Sequence, residues 1–115
     1  MDRSLALLGM AKKAGLLAVG GEAAATAIRR CEAKLVITAT DASEASVRRA
    51  KMNAESNGIK HVGVPFTMFD LGTTAGRGSP GTIAFLDKGL ADEFIKRLTE
   101  TEAKNTATNT KESDA

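Results

Sequence analysis

The sequence has no tryptophan or tyrosine and only four phenylalanines among its 115 residues. Proteins that bind single-stranded nucleic acid on the face of a sheet or barrel need several exposed rings on which bases stack. Such a small number of rings argues against that mode of binding. It also means that the core must be built mainly from alanine, leucine, isoleucine and valine.

Cysteine and histidine occur once each, as Cys31 and His61. A single cysteine cannot form an intrachain disulfide, which fits a reducing, cytoplasmic setting. One histidine and one cysteine cannot supply a transition-metal site from soft ligands alone, and the serines follow no nucleophile motif. We therefore expect no catalytic residues, no metal site and no cofactor.

No apolar run approaches the roughly 18 residues that a membrane span requires, so we expect no membrane partner. The apolar stretch 5–11 is followed by Lys12 and Lys13, whereas a signal peptide carries its basic residues before the apolar run. We interpret this stretch as a helix of the mature fold. Residues 1–101 carry 14 basic and 11 acidic side chains. This small excess predicts that any nucleic-acid site is local and depends on shape.

Helix and strand patterns alternate along the chain. Helical spacing, capping residues and glycine stops predict helices over residues 4–14, 22–30, 42–57, 67–75 and 88–101. Short apolar runs predict strands over residues 16–19, 35–40, 61–64 and 82–86. This order predicts an α/β protein, a three-layer α/β/α sandwich around a mixed sheet of about four strands. Residues 1–101 form the predicted domain, and the polar tail 102–115 is expected to be disordered.

Polar residues mark the predicted helix starts. Ser4 is predicted to cap the first helix. Asp41 is predicted to cap the third helix, with Glu44 three residues later as in a capping box. The third helix also has the spacing for two ion pairs between residues four apart, Glu44 with Arg48 and Lys51 with Glu55.

Two glycine-rich segments invite an anion-binding interpretation. Gly20 and Gly21 precede the second helix, where the free amides of a helix start can face an anion. Residues 72–81 lead out of a helix into a strand and lack the lysine of a P-loop. An enzyme acting on a small phosphorylated ligand at Gly20 and Gly21 is the least supported hypothesis, because no acid, base or metal set accompanies them.

Several short motifs follow one another in the run LALLGMAKKAGLLAVGGEAAATAIRRCEAKLVITATDAS, residues 5–43. They are Leu-Gly-x-Ala-Lys-Lys-Ala-Gly at 8–15, Gly-Glu at 21–22, Ala-Ile-Arg at 27–29, Ala-Lys-Leu-Val at 33–36 and Asp-Ala-Ser at 41–43. Leu-Gly at 71–72 and Asp-Lys-Gly-Leu-Ala at 87–91 come later. In their order and spacing the chain resembles the YlxQ-like bacterial proteins, relatives of the archaeal ribosomal protein L-seven-Ae and the eukaryotic L-thirty-e.

The resemblance implies an α/β/α sandwich that binds structured RNA without catalysis. The RNA implied is the kink-turn, a sharply bent duplex with tandem sheared G·A pairs. Ribosomal RNA is a possible partner, as is a ribosomal or other protein, whereas DNA is not expected and the chain should be a monomer. The implied site combines the start of the second helix with the loop before the last strand, and nearby basic residues are included with it. The predicted RNA-binding residues are Gly20, Gly21, Glu22, Thr26, Arg29, Arg30, Lys34, Arg77, Gly78 and Ser79.

The chain departs from the helix signature of that family, which is Gly-Thr-Asn-Glu-x-x-Lys. Glu22 stands at the asparagine position, Ala23 at the glutamate position and Thr26 at the lysine position. Each lost charge-assisted contact would cost on the order of 1.5–3 kcal/mol. The basic residues nearby compensate only if they face the same RNA surface. The alternative hypothesis is therefore a protein–protein adaptor on the same fold, with RNA binding weakened or lost.

Overall fold

The computed structural model describes residues 2–76 and 78–100, which form five helices and four strands in the predicted order. The strands are β1 (Leu17–Val19), β2 (Leu35–Thr38), β3 (His61–Gly63) and β4 (Thr82–Phe85). The helices are α1 (Arg3–Lys13), α2 (Gly21–Arg29), α3 (Glu44–Ser56), α4 (Met68–Ala75) and α5 (residues 88–100). The predicted disordered tail and the predicted end of the domain at residue 101 lie outside the described residues.

The four strands form one mixed sheet in the order β1, β4, β2, β3. β4 pairs antiparallel with β1 and β2, and β3 joins β2 in parallel. In this register Leu17 and Leu35 lie on either side of Phe85. All four residues of β2 are buried, because the strand has a neighbour on each side and helices on both faces. The mixed four-stranded sheet between helical layers confirms the predicted fold class.

One face of the sheet packs against α1, α4 and α5 through large side chains. Leu8, Leu71 and Ile83 are completely buried there. The rings of Phe85 and Phe94 lie 5.0 Å apart between centroids in the same core. Burial of such side chains is worth about 1.5–3 kcal/mol each, so this layer supplies most of the hydrophobic stabilisation.

The opposite face packs against α2 and α3 through a core made largely of alanine. Its buried members are Ala24, Ala27, Ile28, Ala33, Val36, Ala50, Ala54 and Ala84. Small side chains let the two helices lie close to the sheet and to each other. The start of α2 is therefore positioned by backbone packing rather than by long side chains.

Two helix caps differ from the predicted ones. Asp2, not Ser4, caps α1, because its carboxylate accepts hydrogen bonds from the first-turn backbone and Ser4 is buried inside the helix. Ser43, not Asp41, caps α3 through its hydroxyl, which accepts from the backbone N–H of Ser46 at 3.1 Å. Serine and aspartate have similar capping preferences, so local sequence does not decide between two such residues two positions apart.

The two ion pairs predicted on α3 are not formed. Within the described residues the ion pairs are Arg3–Glu100, Lys88–Asp92 and Arg97–Glu93. The charged side chains of α3 are exposed, and an exposed pair gains only about 0.2–1 kcal/mol. That gain is too small to hold two long side chains in one geometry.

Candidate nucleic-acid interface

Four connections meet at the edge of the sheet where β1, β2 and β3 end and β4 begins. We call this edge the α2 end. It holds residues 20–22 at the start of α2, residues 39–44 before and at the start of α3, residues 67–70 at the start of α4 and residues 78–81 before β4. The topology thus brings the start of α2 and the loop before β4 to the same edge.

Gly20 has a backbone conformation that only glycine adopts readily. Its φ is 107° and its ψ is 157°, outside the regions open to residues with a side chain. In this conformation its N–H donates to the carbonyl oxygen of Thr82 at 2.8 Å, and its carbonyl oxygen accepts from the N–H of Ala24 at 2.9 Å. The first of these hydrogen bonds fastens the start of α2 to the start of β4, and the second begins the helix.

The first turn of α2 has no side-chain cap. Asp2, Ser43 and Thr67 cap α1, α3 and α4, and Asp87 does the same for α5. At α2 the N–H groups of residues 21–23 have no acceptor among the described residues, and all three residues are exposed. A helix start with free outward amides can donate to phosphate or to other acceptors on a ligand.

The loop before β4 lies against α4 and against the β2–α3 connection. A Cβ at Gly72 would overlap the carbonyl oxygen of Gly78. A Cβ at Gly81 would lie 3.3 Å from the Cβ of Ala42 and 3.5 Å from the Sδ of Met68. The loop therefore follows the surface of α4 and enters β4 beside the start of α2.

Asp41, predicted as a helix cap, instead joins two connections at the α2 end. Its Oδ1 accepts a hydrogen bond from the N–H of Met68 at 2.8 Å. The neighbouring N–H of Thr40 donates to the carbonyl oxygen of Phe66 at 2.9 Å. The start of α4 is therefore held in place next to the end of β2.

Half of the predicted RNA-binding residues lie at the α2 end. Thr26 is one turn further along α2, where its hydroxyl accepts a hydrogen bond from Arg29 at 3.1 Å. Arg77 lies outside the described residues. The residues that the fold places at the α2 end are Gly20, Gly21, Glu22, Gly78 and Ser79.

The other predicted basic residues lie at the opposite edge of the sheet. Arg29 ends α2 and Arg30 is its C-cap. Lys34 precedes β2, and its N–H donates to the carbonyl oxygen of Phe85 at 2.7 Å. The nine residues of α2 span about 13 Å. Arg29, Arg30 and Lys34 therefore do not stand in for a cation at the start of α2.

All the charged side chains in the described segments of the α2 end are carboxylates. The four segments that form it contain no lysine or arginine, and their acidic residues are Glu22, Asp41, Glu44 and Asp70. Asp41 and Asp70 accept hydrogen bonds from backbone N–H groups of α4 and its cap. These segments therefore offer backbone amides and shape, and no opposite charge, to an anionic ligand.

Phe69 is an aromatic residue of the α2 end that is not among the predicted RNA-binding residues. The rings of Phe66, Phe85 and Phe94 are buried, whereas Phe69, in the first turn of α4, is 73% exposed. A ring so exposed at the α2 end is available for stacking on an unpaired base. The signal was present in the sequence, because helical spacing puts Phe69 outside the stripe formed by Met68, Leu71 and Ala75.

A cleft of about 440 Å³ lies between α2 and α3, counting its open mouth. Its floor is apolar and includes Ala24 and Val36. Its polar rim is formed by Ser46, Arg49 and Asn53 on α3. A cleft of this shape can receive one apolar side chain of a partner.

His61 lies where α3 crosses the start of β3. Its Nε2 is 2.9 Å from the hydroxyl oxygen of Thr38. Burial lowers the pKa of His61 below its usual value of 6.5, and the charge of Lys51 acts in the same direction, whereas Glu55 opposes it. Both effects favour the neutral form of the ring in the folded chain.

The fold is expected to lose stability through His61 as the pH falls. Because its folded pKa lies below 6.5, the unfolded chain takes up the proton first, and the stability present above pH 6.5 is lost below it. Urea unfolding at about pH 7.5 and pH 5.5 should show a larger loss for the native chain than for His61→Gln, which does not titrate. Equal losses in the two proteins would contradict this account.

Residues 2–76 and 78–100 contain neither a cluster of metal-ligating side chains nor a membrane-spanning helix. No three histidine, cysteine or acidic side chains come together there as ligands for a metal ion. No helix in the same ranges combines the length and apolar character needed to cross a bilayer.

Two solved structures share this α/β/α architecture. A protein of unknown function from Bacillus halodurans superposes with a TM-score of 0.79, at 24% identity over 86% of this chain and 99% of that one. A 15.5 kD RNA-binding protein from Giardia lamblia superposes with a TM-score of 0.69, at 22% identity over 86% of this chain and 84% of that one. At these identities the likeness establishes the fold.

The sequence profile of the ribosomal protein L7Ae/L30e/S12e/Gadd45 family matches residues 2–104. The chain belongs to this family, as its motifs predicted. The narrower resemblance to the YlxQ-like branch stays a prediction. A search of curated protein sequences gives no significant match to the chain.

Proposed function

We propose that the protein binds structured RNA of the bent or bulged, kink-turn kind at the α2 end, without catalysing a reaction. The observation that carries the proposal is the uncapped start of α2, beside the loop before β4. Membership of a ribosomal protein family supports RNA as the ligand, and one protein of the same fold is named for RNA binding. We propose ribosomal RNA in the cytoplasm as the first candidate ligand, with the chain acting as a monomer.

The groups at the α2 end define how such RNA would be recognised. The amides of residues 21–23 donate to phosphate oxygens or to acceptors on base edges. The carboxylate of Glu22 accepts from an exocyclic amino group of a base. Phe69 stacks on a base that has left the helix. Because the described part of this end has no cation, it neutralises few phosphates and adds little to the salt dependence of binding.

Titration of the purified chain against a kink-turn duplex tests the proposal. The expected result is submicromolar binding that weakens at least about tenfold, or 1.4 kcal/mol, when Watson–Crick pairs replace the G·A pairs. Fluorescence anisotropy at two salt concentrations gives both the affinity and its salt dependence. Weak, equal and steeply salt-dependent binding to both duplexes would reject the α2 end as the site.

A variant of Gly21 tests whether the start of α2 contacts the RNA. Gly21→Asp should weaken binding of the kink-turn about tenfold, because a carboxylate there competes for the free amides and repels RNA. A Cβ at Gly21 meets nothing within 4 Å, so the variant should stay folded. Thr99→Asp, on the exposed surface of α5, makes the same change in net charge away from the site. Equal effects of the two variants would point to net charge alone.

A protein–protein adaptor is the second candidate function. It is motivated by the departures at Glu22, Ala23 and Thr26 and by the apolar floor of the α2–α3 cleft. In that case the purified chain would carry no RNA and would ignore both duplexes. Binding that depends on the G·A pairs would reject the adaptor as the main function.

A further inference from the structure

Basic side chains collect at the edge of the sheet opposite the α2 end. There α1 and α2 end, and β2 and β3 begin. β4 also ends at this edge, and the start of α5 that follows it adds Asp87, Lys88 and Asp92, the last of which lines a hollow together with Lys34 and Lys60. Within segments 12–16, 29–35 and 57–61, Glu32 is the one carboxylate. We call the six cations of these segments the basic end, and they are Lys12, Lys13, Arg29, Arg30, Lys34 and Lys60.

Backbone hydrogen bonds hold the segments of the basic end side by side. The N–H of Lys34 donates to Phe85, the N–H of Leu86 donates to Leu16, and the carbonyl oxygen of Lys60 accepts from β2, at 2.7, 2.9 and 3.0 Å. Neighbouring strands are about 4.8 Å apart, so the four strands extend over about 14 Å. The six cations therefore lie at the same end of the sheet.

The stability of the helices accounts for only part of this charge. The helix dipole favours cations in the last turns of α1 and α2, but Lys34 and Lys60 precede strands and gain nothing from it. None of the six forms an ion pair with a carboxylate in the described ranges. Cations gathered at one end of the fold without carboxylate partners favour the binding of an anion.

The two ends of the sheet are opposite in charge and complementary in what they offer RNA. The α2 end has free amides and carboxylates, which suit recognition of shape and base edges. The basic end has cations that form no ion pair within the described residues, and such cations suit phosphates. The exposed face of α2 connects them over about 13 Å.

We propose that the basic end is a second RNA-contact surface, which binds the phosphate backbone of a duplex arm of the same RNA whose bend lies at the α2 end. This inference rests on the RNA-binding function proposed above. An arm that lies along α2 passes Thr26 and reaches Arg29 and Arg30 at the end of the helix. The basic end then supplies affinity and salt dependence, and the α2 end supplies selectivity for the G·A pairs.

A double variant away from α2 tests the basic end by itself. Lys13→Gln with Lys60→Gln removes one cation from α1 and one from the start of β3, both exposed. The matched control, Arg3→Gln with Lys96→Gln, removes the same net charge from exposed positions outside both surfaces. Each is titrated as the full chain, at several salt concentrations, against the kink-turn duplex and the duplex with Watson–Crick pairs.

The basic-end variant should bind both duplexes about tenfold more weakly at low salt, and its salt slope should fall by about two. Its preference for the G·A pairs should stay the same, and the control should keep the native slope. Equal slopes for the two variants, or a basic-end variant that loses the preference, would overturn the inference. A native chain without G·A preference, whose binding still depends on Lys13 and Lys60, would reject the α2 site but support the basic end. A native chain that binds neither duplex would reject both.

Discussion

Replacing Gly20 with alanine is expected to destabilise the domain by about 1–3 kcal/mol, although the new methyl group would touch nothing. The loss arises because φ of 107° with ψ of 157° is strained for any residue with a Cβ. Relaxing that strain breaks the hydrogen bond between Gly20 and Thr82 that positions the start of α2. For a domain of this size each kcal/mol corresponds to about 4–8 °C in Tm. Urea and thermal unfolding measure the loss.

Gly21→Ala is the matched control for Gly20→Ala. It makes the same chemical change one residue later, where the backbone has ordinary helical angles and a Cβ also meets nothing within 4 Å. Alanine favours a helix over glycine by up to about 1 kcal/mol, so this variant should be as stable as the native chain or more so. Similar losses in both variants would rule out backbone strain at Gly20 as the cause. RNA affinity should fall in Gly20→Ala even under conditions where it is fully folded.

Replacing Gly72 with alanine is expected to cost about 1–3 kcal/mol for a different reason, which is a steric overlap with backbone. The new Cβ would overlap the carbonyl oxygen of Gly78 and lie 3.3 Å from the Cδ of Pro80. A carbonyl cannot rotate away as the end of a flexible side chain can, so the loop before β4 must move. We therefore expect weaker RNA binding together with lower stability, measured by titration and by urea unfolding.

Gly9→Ala separates this overlap from the general effect of alanine in a helix. Gly9 lies in α1, and a Cβ there would be 3.5 Å from the Cγ2 of Thr74, an ordinary contact. Helix propensity then dominates, and the variant should be stabilised by about 0.5–1 kcal/mol. If Gly72→Ala also stabilises the chain, the loop does not pack on α4 as described.

Sequence periodicity was sufficient to predict the architecture. The apolar run of β2 and the glycines after α1 and α3 mark element type and order, because buried strands and helix ends each have a distinctive local pattern. The residues at which strands end were less predictable. β2 was predicted to reach residue 40 but ends at Thr38, since Ala39 and Thr40 turn to Gly81 and Phe66 for their hydrogen bonds. Such long-range partners leave no signal in neighbouring residues.

The predicted site could be located only in part. The Gly-Gly step before α2 is visible in sequence, and so is the loop that ends at β4. Whether Arg29, Arg30 and Lys34 belong to the same surface depends on strand direction, which periodicity does not reveal. The structure places them at the opposite end of α2. The role of Asp41 was hidden for the same reason, because its partner Met68 is 27 residues away in the chain.

The alanine-rich core beneath α2 and α3 limits how this protein can vary. Where Ala24, Ala50 and Ala84 meet, a larger side chain would have to push a helix away from the sheet. The start of α2 would then move away from the loop before β4, and the two halves of the proposed RNA site would separate. The opposite core of leucine, isoleucine and phenylalanine can exchange volume among its larger members. An increase in side-chain volume that the core beneath α1, α4 and α5 tolerates would therefore displace α2 if it occurred in the alanine-rich core, and the proposed RNA site would be lost.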